Sequence, residues 1–141
     1  MIVTPINAVE RGNGTLEQRR ADRTDNLAYA CEPGKPYFVY EISERKGGEG
    51  LIYGINIQGG ITFNDIPARY FTVLDSTIPS DWEEDTYDVY GNEVHVQSFP
   101  EMAHDKFFYD RLMNDDPKTV EVFWSYAQKY EKAARDFERL G

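Results

Sequence analysis

The sequence predicts an α+β fold in which a small antiparallel sheet of about four to six strands precedes two C-terminal helices that pack on one face. Strand-like alternation and Gly or Pro breakers fill roughly residues 36–97. Helical spacing of apolar residues fills roughly 99–114 and 117–140. A chain of 141 residues is of single-domain size, so we expect one domain over residues 1–141.

The N-terminal third has the weakest pattern. We expect a short strand near residues 2–9 and a helix over 15–30, whose apolar face is sparse. Aromatic and β-branched residues then predict a strand over 37–42. It ends at the glycine-rich segment 46–50, which breaks regular structure.

The next strands follow from alternation. Residues 51–58 place Leu51, Tyr53 and other apolar side chains on one face, which predicts a half-buried strand. One or two further strands are expected over 61–63 and 69–74. Pro67 lacks an N–H donor and should keep the first of these away from a central position.

A β-hairpin is predicted over residues 89–94, Val-Tyr-Gly-Asn-Glu-Val, near the end of the strand-rich region. Gly91 can adopt the positive φ of a type II′ turn, which would set Val89 opposite Val94 and Asp88 opposite His95. An Asp–His pair of this kind could serve as a general base, but a structural pairing is the expected role.

Both helices carry start signals. Ser98 and Glu101 form a capping box, and Asp116 followed by Pro117 gives the N-cap and first position of the second helix. The segment 118–139 should be the longest helix. Its apolar residues at helical spacing are Val120, Phe123, Trp124, Ala127, Tyr130, Ala134 and Phe137.

Charge is strongly segregated along the chain. Residues 75–116 contain twelve acids and two bases, which equals the whole formal charge of −10, and the remaining residues sum to zero. This balance disfavours binding to a bare phosphate backbone, so no direct nucleic-acid contact is expected. The segregated block is either a solubilising surface or a face for a cationic partner.

Several classes of protein and site are disfavoured by what the sequence lacks. A lone Cys31 cannot form an internal disulfide, and no apolar run is long enough to span a bilayer. Without a signal-like leader, the expected location is the cytoplasm, with no membrane partner. His95 and His104 lie on different predicted elements, and no nucleophile or phosphate-binding motif occurs, so we expect no metal, cofactor or catalytic residue.

A local resemblance involves about 30 of the 141 residues. The aromatic strand at 36–42, the Gly-Gly-Ile turn that opens 59–66, and the strand at 70–73 resemble the late strands of the cholera-toxin-like mono-ADP-ribosyltransferases. The resemblance implies an ADP-ribosyltransferase-like fold. The family's catalytic Glu-x-Glu precedes that turn, whereas this chain has Ile-Tyr-Gly at 52–54 and also lacks the Ser-Thr-Ser strand, which leaves transfer chemistry without its residues.

The functional hypothesis comes from carboxylates that alternate with large aromatic residues in the acidic block. Carboxylates steer a basic partner toward the surface, and Tyr or Trp supplies a desolvated anchor. In an extended chain, Asp81, Glu83 and Asp85 would share a face at ~6.6 Å intervals. The predicted partner-binding residues are Asp81, Trp82, Glu83, Glu84, Asp85, Tyr87, Asp88, Tyr90 and Glu93.

Such a face suits a non-catalytic antagonist, of the immunity-protein or anti-defence type, that occupies a basic cleft. The expected partner is a basic protein such as a toxin, a nuclease or a nucleic-acid-handling defence complex. Two alternatives remain open. One is a small or degenerate enzyme with the ADP-ribosyltransferase-like fold, and the other is a structural adaptor subunit.

Overall fold

The computed structural model describes residues 1–6, 31–48, 50–57, 59–61 and 64–140. The helix predicted over 15–30 lies outside these residues. The strands are β1 (Ile2–Pro5), β2 (Tyr37–Arg45), β3 (Leu51–Ile55), β4 (Asn64–Pro67), β5 (Phe71–Asp75), β6 (Glu83–Val89) and β7 (Asn92–Ser98), and the helices are α1 (Pro100–Ala103), α2 (Phe108–Met113) and α3 (Pro117–Leu140).

All strand pairs are antiparallel, which together with the C-terminal helices confirms the predicted α+β class. The sheet has seven strands rather than four to six. Strand β2 is central: β3 lies on one side, while β1 and β7 share the other side along its length. Within the described chain β4, β5 and β6 each have one strand neighbour, so Pro67 lies in an edge strand as predicted.

A β-bulge in β2 interrupts the regular alternation of its side chains between the two faces of the sheet. Val39 pairs with Ile55 and Glu41 pairs with Gly54, which leaves Tyr40 as the extra residue. Val39 belongs to one core cluster, whereas Tyr40 packs into the other. The bulge therefore directs Tyr40 and Glu41 toward the same face, the one that the helices cover.

Aromatic rings fill the core between the sheet and α3. Tyr130 stacks on Phe38 with ring centroids 4.1 Å apart, and Phe123 stacks on Tyr40 at 5.5 Å. The second core, on the opposite face, contains Val3, Val39, Tyr53, Ile55 and Ile66.

Helix α3 confirms the strongest sequence pattern. It is the longest helix described, with 24 residues, which corresponds to about 36 Å. Asp116 is its N-cap, because Oδ2 accepts hydrogen bonds from the Thr119 N–H at 3.1 Å and the Thr119 hydroxyl at 2.7 Å. The residues buried along it are Thr119, Phe123, Ala127, Tyr130 and Ala134, with Phe137 partly buried. No helix in the described part of the chain is both long and apolar enough to cross a bilayer.

The predicted capping box at Ser98 is wrong. Ser98 is fully buried as the last residue of β7, and its hydroxyl donates to the Tyr40 carbonyl oxygen at 2.6 Å. Helix α1 begins after Phe99 without a side-chain cap. The single helix predicted over 99–114 is also wrong, because this segment forms two short helices, α1 and α2, that are separated by residues 104–107.

Candidate protein-binding site

Seven of the nine predicted partner-binding residues lie on the β-hairpin of β6, a two-residue loop and β7, and Asp81 and Trp82 directly precede it. Residues 81–98 together form the acidic hairpin. Tyr90 and Gly91 form the loop with φ angles of 51° and 82°, as in a type I′ turn. Val89 pairs with Asn92, so the predicted type II′ turn and its register are wrong. The Gly91 N–H donates to Asp88 Oδ1 at 2.7 Å, which holds the loop in this shape.

The acidic side chains of the hairpin project on both sides of β6. Glu83 and Asp85 share the face that the helices cover, as predicted, but Asp81 precedes the strand and is not part of this alternation; Glu84 and Asp88 lie on the other face. Tyr90 at the tip is 97% exposed. Two further acids, Asp81 before β6 and Glu93 on β7, are exposed as well.

His104, directly after α1, is held between two carboxylates of β6. Its Nδ1 lies 3.0 Å from Asp85 Oδ2, and its Nε2 lies 3.2 Å from Glu83 Oε2. The hydrogen bond with Asp85, followed by the contact with Glu83, raises the pKa of His104. The hydrogen bond between His104 and Asp85, followed by the hydrogen bond from the Thr86 N–H, lowers the pKa of Asp85. This clasp ties the turn after α1 to the edge of the sheet.

The predicted pairing of His95 with Asp88 does not occur. His95 lies opposite Thr86 in the ladder, and its Nδ1 is 3.0 Å from Thr86 Oγ1. Its Nε2 is 3.6 Å from Glu84. In the described residues, no group of three His, Cys, Asp or Glu side chains has an arrangement that could hold a metal ion.

Trp82 anchors the base of the acidic hairpin to α3. Its indole N–H donates to the Tyr130 hydroxyl at 2.7 Å, and the ring packs against both core clusters. Tyr87 is half-buried, and burial followed by nearby carboxylates raises its pKa to about 12. These two aromatic residues support the hairpin from within, whereas Tyr90 alone presents a whole ring to solvent.

A pair of carboxylates that sequence reasoning missed lies on the helix-covered face. Glu41 pairs with Gly54, which pairs with Asp65, so only a residue without a side chain separates the two acids. Desolvation raises the pKa of the Glu41 carboxyl, and the charge of Asp65 raises it further. A glutamate inside the aromatic strand at 37–42 was the signal that could have revealed this pair.

The row of paired residues continues from Glu41 through Ser98 to Glu83. Carboxylates therefore occupy both ends and the middle of one row across five strands. Desolvation also raises the pKa of Asp65, and the nearby cation Arg45, on the same face of β2, only partly offsets this rise. Carboxyl groups thus continue from the acidic hairpin inward along this face of the sheet, where desolvation favours the neutral form of Glu41 and Asp65.

Comparison of the chain with family models, curated proteins and solved structures found no match. The similarity to ADP-ribosyltransferase strands stays a prediction. Chemically, the acidic hairpin offers exposed carboxylates on two faces and one exposed aromatic ring, a combination suited to a cationic protein surface.

Proposed function

We propose that this protein is a non-catalytic antagonist that binds a basic cleft of another protein through the acidic hairpin. The observation that carries the proposal is the concentration of exposed carboxylates and a fully exposed Tyr90 on one hairpin at the edge of the sheet. A toxin, nuclease or defence complex that handles nucleic acid has a cleft of the required charge.

Electrostatics favour this mode of binding. The segment 75–116 carries a charge equal to that of the whole chain, so the field that a partner meets originates from one region. Exposed carboxylates keep most of their hydration in the free protein. They therefore accelerate encounter with a basic surface while contributing little to folding.

Preorganisation of the hairpin also supports the proposal. The clasp on His104 and the Trp82 hydrogen bond fix β6 before any partner arrives. Glu84 additionally accepts a hydrogen bond from the Gln97 side chain across the hairpin. Groups ordered in advance lose less conformational entropy on association, which favours tight binding.

The test uses two matched triple variants, each of which removes three negative charges. The hairpin variant carries Asp81→Asn, Glu84→Gln and Asp88→Asn, where the new amide at 88 keeps an oxygen acceptor for the turn. The control variant carries three exposed acids changed to amides elsewhere: Glu32→Gln, Glu121→Gln and Glu138→Gln.

Each protein is used to capture partners from the native host at equal concentration, and the captured protein is assayed with increasing amounts of the purified chain. We expect wild type and control to retain one basic protein and to inhibit its activity at a one-to-one ratio. The hairpin variant should lose both. Equal capture by all three proteins, or capture without inhibition, would contradict the proposal.

A further inference from the structure

In the part of the chain that the structure describes, no strand pairs with one edge of β6, and the main-chain polar groups of this edge can be assigned from the register. In a hairpin with a two-residue loop, the pair that flanks the loop exchanges hydrogen bonds, and bonded and non-bonded pairs then alternate. Val89 and Asn92 flank the loop. Residues 84, 86 and 88 therefore direct their N–H and C=O groups away from β7.

An observed hydrogen bond supports this assignment. The Glu93 carbonyl oxygen, opposite Asp88, accepts from the Lys46 N–H at 2.9 Å and so points toward β2 rather than toward β6. Asp88 is accordingly in a non-bonded pair, and its own main chain faces outward.

Two of the outward groups are already engaged. Asp85 Oδ1 accepts from the Thr86 N–H at 2.7 Å, and Lys106 Nζ lies 3.5 Å from the Asp88 carbonyl oxygen. Hydrogen bonds among the described residues leave the N–H and C=O of Glu84, the C=O of Thr86 and the N–H of Asp88 without a partner. All three residues are exposed, and among the described residues no strand pairs with this edge.

We propose that the edge of β6 accepts an extended basic segment of the partner as an additional strand of the sheet. The inference rests on the proposed function and specifies how the acidic hairpin would bind. Main-chain hydrogen bonds at positions 84, 86 and 88 would supply affinity, and side-chain charge would select the partner.

The charges of β6 identify the occupant. The strand has four acids and no base in seven residues. A second copy paired on this edge would bring like charges into direct cross-strand contact, which is destabilising. A segment with Lys or Arg at alternate positions would instead meet Glu84 and Asp88 on one face, or Glu83 and Asp85 on the other.

The first experiment compares two repeated Lys-Val peptides of equal length and charge, one unmodified and one N-methylated at every residue, by amide hydrogen exchange of the full chain. An N-methylated amide cannot donate to a ladder, so only the unmodified Lys-Val peptide can complete a strand. We expect it alone to slow exchange at Glu84 and Asp88. Equal binding of both peptides without slowed exchange would overturn strand addition while leaving charge-based recognition intact.

A lack of binding by either peptide would overturn strand addition, and the captured partner would test the proposed function separately. Protection of the same amides in the free protein, with a dimer in sedimentation, would assign the edge to a second copy and also overturn the proposal.

The second experiment separates the main chain from the charge at one position. Glu84→Pro removes an outward N–H together with the charge, whereas Glu84→Gln removes the charge alone. We expect Glu84→Pro to weaken binding of the unmodified Lys-Val peptide about two- to tenfold more than Glu84→Gln, the range for one lost hydrogen bond. The difference should persist at about 1 M salt, where charges are screened beyond ~3 Å. Equal affinity of the two variants, with both folded by circular dichroism, would refute the role of the edge.

Discussion

Replacement of Trp82 distinguishes a supporting side chain from a partner-binding one. Trp82→Ala removes a ring that touches both cores and a 2.7 Å hydrogen bond to the Tyr130 hydroxyl. Truncation of a fully buried Trp costs ~3–5 kcal/mol. Since Trp82 is half-buried, we expect the free energy of unfolding to fall by about 2–3 kcal/mol, of which the hydrogen bond contributes ~0.5–1.5 kcal/mol.

The assay is urea denaturation followed by circular dichroism, with Tyr90→Ala as the matched aromatic control. Tyr90 is 97% exposed, so its removal should change stability by less than ~0.5 kcal/mol while weakening partner binding. Trp82→Phe keeps a ring and deletes the N–H, and it should lose only about 1 kcal/mol.

An unchanged unfolding free energy for Trp82→Ala would refute the anchoring role. The same conclusion would follow if Trp82→Ala and Tyr90→Ala had equal effects on stability.

Three further predictions concern stability and pH. Phe123→Ala should cost ~3–5 kcal/mol in urea denaturation because the ring is fully buried; a loss below ~1 kcal/mol would contradict the packing of α3. In an NMR titration, the pKa of His104 should lie above its ordinary value, and Asp85→Asn should lower it. Because the folded pKa is raised, the contribution of the protonated His104 to stability is present below about pH 6.5 and is lost as the pH rises through the folded pKa. Glu41 also has a raised pKa, and here the folded state favours the neutral acid, so the free energy of unfolding should fall as pH rises from about 4.3 through the folded pKa. Above the folded pKa, Glu41→Gln should be more stable than wild type. A less stable variant would show that the fold needs the charged form of Glu41.

The sequence correctly predicts those structural features that depend on residues of one short segment. The helical spacing of Phe123, Ala127 and Tyr130 identified α3, and Asp116 caps it as its sequence context indicates. Pro67 lies at an edge because it cannot donate to a central ladder. Each of these properties depends on residues that are neighbours along the chain.

Features that depend on register could not be derived in this way. The sequence around Ser98 predicts a helix cap, but pairing of β7 with β2 directs the Ser98 hydroxyl to the Tyr40 carbonyl oxygen. The approach of Glu41 to Asp65 requires the bulge in β2 and the missing side chain of Gly54.

The prediction of the hairpin turn is wrong for a different reason. Tyr90 adopts a positive φ, which a propensity rule assigns to glycine. The loop therefore consists of Tyr90 and Gly91 and lies one residue earlier than predicted. This shifts every cross-strand pair, so that His95 lies opposite Thr86 rather than Asp88. The role of Trp82 was also hidden, because its hydrogen-bond partner lies 48 residues away.

The most direct test of recognition by the acidic hairpin is the association rate with the captured partner, measured across a series of salt concentrations. Wild type and the variant at Glu32, Glu121 and Glu138 should associate rapidly at low salt and slow steeply as screening shortens the field to about 8 Å at 0.15 M. The variant at Asp81, Glu84 and Asp88 should associate about tenfold more slowly at low salt and converge with wild type at high salt. Identical association rates for the three proteins at every salt concentration would contradict the account.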